Sequence, residues 1–216
     1  MDTMLRKALW EVLKPLLQLI TNLVNPDIGE MWLVELKKFL RKEPCWIGGE
    51  AVRKGITSIL RHLETVTVPL ASKSELEKFT FETRKGLWVE DTFASIFGTK
   101  VSAEGASIEL GKHQLTKDAS DGAITSGLEP GYVFKGEAGK RKLKQVIASL
   151  ILAQWGGTEG VLLNNGYANI FYVELEDGRR LAVRVRWPSN GRAWDVFVWE
   201  FDGRQWRAGR VVFSCN

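Results

Sequence analysis

Three dipeptides near the end of the chain, Asp177-Gly178, Asn190-Gly191 and Asp202-Gly203, each stand between runs rich in Val, Tyr, Phe and Trp. Asp-Gly and Asn-Gly favour the positive φ that two-residue hairpin turns need, so four successive strands joined by tight turns are the simplest reading. Ahead of them, residues 140–155 place Leu143, Val146, Ile147, Leu150, Ile151 and Gln154 on one helical face and Arg141, Lys142, Lys144 and Gln145 on the other. The C-terminal part is therefore expected to be a helix packed on a four-stranded antiparallel meander.

Two-residue turns set the register and with it the face of every side chain. The first turn pairs Tyr172 with Val183 and Ile170 with Val185. The second pairs Val183 with Val198, Val185 with Val196 and Trp187 with Trp194, which makes an apolar face for the helix. The other face sets Phe171 beside Arg184, Asn169 beside Arg186, Arg184 beside Phe197, Arg186 beside Asp195, Ala182 beside Trp199 and Arg180 beside Phe201. On it, aromatic rings and arginines alternate.

Upstream, residues 3–24 carry an amphipathic stripe through Leu5, Leu9, Val12, Leu16, Ile20 and Leu23, kinked at Pro15. Asp27 and Glu30 form a capping-box pattern before a second helical face of Ile28, Trp32, Leu36, Phe39 and Leu40, stopped by Pro44. A third helix is expected over residues 51–63 and a short strand over 65–70. Ser72 with Glu75 repeats the capping box, residues 90–97 read as a short helix, and residues 107–115 read as a strand. Glycine-rich residues 118–139 read as loop or linker. The expected fold class is α+β: N-terminal helices over residues 1–63, a mixed middle with linker over 64–138, and the helix-plus-meander domain over 139–216.

Composition narrows function by exclusion. With 2 Cys and 2 His the chain can build neither a disulfide framework nor a Cys- or His-rich metal centre, so no metal and no cofactor are expected. The apolar N-terminal run is broken by Glu11, Lys14, Gln18, Thr21 and Asn22, too soon for a membrane span of about 20 residues, and a cytoplasmic protein without a membrane partner is expected. The net charge of +4 is unevenly spread: residues 63–138 hold 8 basic and 12 acidic side chains, residues 139–216 hold 12 and 7. Such a split lets the acidic middle balance the basic C-terminal part within the chain, or leaves a basic surface for an acidic partner. His62 and His113 have no Asp, Cys or Ser at a recognised catalytic spacing, so an enzyme, a hydrolase or transferase with a dispersed site, is the less supported reading.

The candidate ligand-binding residues follow from the sheet face. Phe171, Phe197 and Trp199 can stack on planar groups, while Arg180, Arg184 and Arg186 can meet phosphates, the combination that single-stranded nucleic acid needs. The run Asn164, Asn165, Gly166, Tyr167, Ala168, Asn169 adds amides and a phenol that could orient a ligand or simply build a tight turn. The reading is a non-catalytic binding or interaction protein, its partner either a protein or nucleic acid.

The segment Trp32-Leu33 through Leu36-Lys37-Lys38-Phe39-Leu40-Arg41-Lys42-Glu43, with Trp46 beyond it, resembles the N-terminal signature of a large group of uncharacterised proteins from uncultured bacteria. Gly86-Leu87-Trp88-Val89, residues 115–121, residues 162–173 and Val212-Phe213-Ser214 resemble further blocks of that group. The resemblance implies no activity or substrate. It does imply a modular chain, with a reusable N-terminal segment and the specific function placed downstream.

Overall fold

The computed structural model describes residues 20–25, 29–40, 59–128, 133–201 and 205–215. The chain divides into two compact units, Met1–Thr57 and Ser58–Asn216. In the first, residues 20–24 are helical and α1 spans Gly29–Leu40. The kink expected at Pro15, the capping Asp27 and the stop at Pro44 lie outside the described residues.

The second unit is built on one mixed sheet of eight strands. In chain order its elements are β1 (Leu60–Pro69), α2 (Lys73–Leu76), β2 (Leu87–Val89), α3 (Asp91–Phe97), β3 (Ser107–Leu115), β4 (Ala119–Ser120), α4 (Asp121–Gly127), β5 (Phe134–Lys135), α5 (Gly136–Ala153), β6 (Asn169–Glu174), β7 (Arg180–Arg186), β8 (Trp194–Glu200), β9 (Gln205–Trp206) and β10 (Val211–Cys215). The strand order is β1-β3-β10-β6-β7-β8-β2, and β5 continues the edge of β6 beyond β10. β4 and β9 make a separate two-stranded pair.

This overturns the α+β expectation. The last strand does not close a four-stranded antiparallel meander against β8; it inserts between β3 and β6, antiparallel to the one and parallel to the other. The outer edge of β8 takes β2 instead, also in parallel. The physical reason lies in β10 itself. Val211, Val212, Phe213 and Ser214 are all buried, and a strand buried on both faces belongs in the middle of a sheet. Residues 59–138 thus supply strands to the same sheet as residues 139–216, and beyond Ala153 the described regular structure is all strand. The Asp202-Gly203 turn lies outside the described residues.

Two local expectations also change. Leu60–Leu63, expected as the end of a helix, begin β1, because Thr65, Val66, Thr67 and Val68 carry a long pairing with β3 that extends back to Leu60. The glycine-rich stretch expected as linker holds β4, α4, β5 and the start of α5.

One face of the sheet packs against α5, where Leu143, Val146, Ile147, Leu150 and Ile151 meet Phe171, Val173, Val183, Val185, Val196, Val198, Val211 and Phe213. The other face carries a smaller apolar cluster at Ile170, Tyr172, Ala182, Val212 and Trp206, with Ile124 of α4 packed into it.

The first hairpin has a different turn from the one expected. Leu175 N donates to Arg179 O and Gly178 N to Leu175 O, with Gly178 at φ 83°. That is a three-residue loop ending in a left-handed glycine, so Glu174 faces Arg180 and Phe171 faces Val183. Every β6–β7 pair is shifted by one residue from the expected register. The β7–β8 pairs Val183–Val198, Arg184–Phe197, Val185–Val196, Arg186–Asp195 and Ala182–Trp199 are as read from Asn190-Gly191.

Candidate functional site

The one-residue shift redistributes the proposed binding residues. Phe171, fully buried, stacks on Phe213 beneath α5 at 4.8 Å between ring centres, on the side of the sheet away from Arg184. Arg184 faces Ile170 on one neighbouring strand and Phe197 on the other. Asn169, expected beside Arg186, pairs with Val185.

What remains on the Arg184 face is a continuous aromatic ladder. Trp88 of β2 lies 4.5 Å from Phe197, Phe197 stacks on Trp199 at 5.5 Å, and Trp199 meets Trp206 edge-on at 5.7 Å. Trp88 is 39% exposed at the open end of this row. The β2 backbone explains it: Leu87 and Val89 are buried, so the pleat turns Trp88 to the opposite side.

Arginines lie over the rings. The Arg184 guanidinium carbon is 4.0 Å from the Phe197 ring centre and 4.8 Å from that of Trp199, and Arg210 sits 5.9 Å from Trp206. Arg186 donates to Asp195 at 2.8 Å. Burial, reinforced by the like charge of Arg186, lowers Arg184 to about 10, which still leaves it charged at neutral pH. Arg210 is lowered in the same direction by burial and by Arg207. Among the described residues neither Arg184 nor Arg210 forms an ion pair with a carboxylate, and Nε of Arg184, Nε of Arg186, and Nε and Nη1 of Arg210 are buried without an acceptor. Buried charge-bearing donors without acceptors are costly.

The other candidates are accounted for locally. Arg180 is exposed and paired with Glu174 at 3.2 Å. Asn169 is fully buried, accepts from Leu163 N at 2.8 Å and donates to Leu163 O and Val185 O. Asn164 donates to Gly157 O, Asn165 accepts from Tyr167 N, and Gly166 at φ 87° closes the turn. These amides build the loop between α5 and β6. Asn165 and Tyr167 are the exposed members of the group, and the electrostatic effect of Tyr167 reaches Arg210. Trp88 and Arg210 were not among the residues proposed from sequence. The Leu-Trp-Val alternation was a signal for an outward Trp88, and Arg210 directly precedes β10, which enters the middle of the sheet.

Toward the β1 edge the same face holds His113, whose Nε2 lies 3.0 Å from Ser214 Oγ, and His62, 5.0 Å from His113 between ring centres. Ser214 is fully buried and has no approach for a substrate, so the pair is a packed polar contact. Burial and the neighbouring His62 lower His113 to about 4. Between about pH 6.5 and 4 the unfolded chain binds a proton at this position that the folded chain refuses, so this group's contribution falls as pH falls through that window. Thermal unfolding midpoints measured from pH 7 to 4 should fall less steeply for His113→Gln than for the native chain, and an unchanged slope would remove His113 from the acid limb.

Among the described residues no group of three His, Cys, Asp or Glu side chains is placed to hold a metal ion, and no helix is long and apolar enough to cross a membrane. Comparison with known proteins finds no matching family, no matching curated protein and no matching solved structure.

Proposed function

We propose that this chain is a non-catalytic binding protein that holds single-stranded nucleic acid on the Arg184 face of its sheet. The observation that carries this reading is the pair of half-buried arginines without a carboxylate partner among the described residues, Arg184 and Arg210, lying on a ladder of four aromatic rings. Phosphates meet the solvent-facing parts of these half-buried guanidinium groups. Bases stack on the exposed face of Trp88 and on the outer plane of the Arg184 guanidinium, whose inner plane already lies on Phe197 and Trp199. A cytoplasmic setting is part of this proposal, in keeping with a sequence of 2 Cys that builds no disulfide framework.

Fluorescence anisotropy of a labelled thymidine oligonucleotide at low salt tests it. The native chain should bind, Trp88→Ala should weaken binding by about 1–3 kcal/mol for the loss of one stacking platform, and Arg184→Glu should weaken it at least as much. Absence of binding by the native chain would end the reading. Equal binding by Arg184→Glu would move the contact off this face.

A further inference from the structure

On the α5-covered side of the sheet a groove of about 480 Å³ lies between α2 and the end of α5. That size falls within the range of small-molecule sites. Phe79, Leu152 and Trp155 make its apolar wall, and Trp155 is 40% exposed. Gly86, at φ 88°, is what lets Trp155 lie where it does: a β-carbon there would sit 2.8 Å from Trp155 Cζ2. Arg84 reaches over the wall, with its guanidinium carbon 5.0 Å from the Phe79 ring centre and 5.6 Å from that of Trp155.

The lining of this groove holds two cations, Lys78 and Arg84, and one acid, Glu75. Arg84 makes one side-chain hydrogen bond, to Thr80 Oγ1 at 3.1 Å, and among the described residues neither Arg84 nor Lys78 forms an ion pair with a carboxylate. The acid in the lining, Glu75, is committed elsewhere: its Oε2 accepts from Ser72 N at 2.7 Å and from Ser72 Oγ at 2.6 Å, closing the cap of α2. The groove therefore offers an aromatic wall and two cations outside any ion pair, against the single carboxylate of Glu75, which is turned to Ser72.

We infer that this groove is a second binding site, independent of the nucleic-acid face, that takes a small aromatic carboxylate. The ring of such a ligand packs against Trp155 and Leu152, and its carboxylate lies between Arg84 and Lys78. The aromatic wall alone would accept a neutral ring as well. The two cations, outnumbering the single carboxylate of the lining, favour an anion.

Isothermal titration of the full chain with 2-naphthoate and with its neutral analogue 2-naphthamide tests the inference. The carboxylate should bind at least tenfold tighter than the amide. Lys78→Glu, a change at an exposed side chain whose folding is checked by thermal unfolding, should abolish that preference. Arg84→Gln should reduce it, and Trp155→Ala should weaken both ligands together. Arg184→Glu, on the other face, should leave naphthoate binding unchanged. No naphthoate binding at millimolar concentration, equal binding of the amide, or a preference that survives Lys78→Glu would overturn the inference.

Discussion

Replacing Phe171 with alanine is expected to lower the free energy of unfolding by about 3–5 kcal/mol while leaving oligonucleotide binding by the folded protein unchanged. The ring is fully buried between strands and α5, in a cluster with Phe213, Val173, Val183 and Leu181. It stacks on Phe213 with the two planes 11° apart. Its removal leaves a cavity that neighbours on a central strand cannot fill, since β6 is held by β7 on one edge and by β10 and β5 on the other. Urea unfolding followed by far-UV circular dichroism measures the loss. A fully stable variant that has lost binding would place Phe171 back on the arginine face and reject the β6–β7 register.

Asp121→Ala is the second large effect, about 2–6 kcal/mol for two orphaned donors at 1–3 each. The Asp121 carboxylate is buried at the start of α4. Its Oδ1 accepts from Tyr172 Oη at 2.9 Å and from Trp206 Nε1 at 2.6 Å, tying α4, β6 and β9 together. Burial, with the Asp121 charge beside it, holds the Tyr172 phenol well above its usual range, so it remains a donor. Asp121→Asn keeps the accepting oxygen and should lose much less stability. Because Trp206 carries Arg210, the alanine variant should also weaken oligonucleotide binding, whereas equal losses from Asn and Ala would show that the charge itself, and not the shared acceptor, holds the cluster.

The parts of this architecture legible in sequence are those with a local signal. The Ser72–Glu75 capping box, the short helix ending at Phe97 and the β7–β8 pairing all rest on spacings within a few residues. The alternation of Arg184, Arg186, Phe197 and Trp199 with buried valines placed all four on one face without any tertiary information. The β6 register was lost because Asn169–Val173 are buried without interruption, so no alternation marks its faces, and the turn alone had to decide. Asp177-Gly178 fits both a two-residue turn and the end of a three-residue loop, and the two readings put Phe171 on opposite sides. The place of β10 is a non-local fact. Val-Val-Phe-Ser hints at a central strand, but its partners β3 and β6 lie far away in sequence, as does Trp88 from the Phe197 it touches.

Nucleic-acid binding by this chain depends on the arginines of the Arg184 face, and the salt dependence of oligonucleotide binding measures their role directly. For a single strand, log K should fall with log salt by about 0.7 for each phosphate neutralised. The native chain should show a steep slope, and a triple variant with Arg184, Arg186 and Arg210 each changed to Gln should lose about 2 from it, with weaker binding at every salt concentration. A native slope near zero, or a triple variant that keeps both slope and affinity, would contradict the assignment of this face.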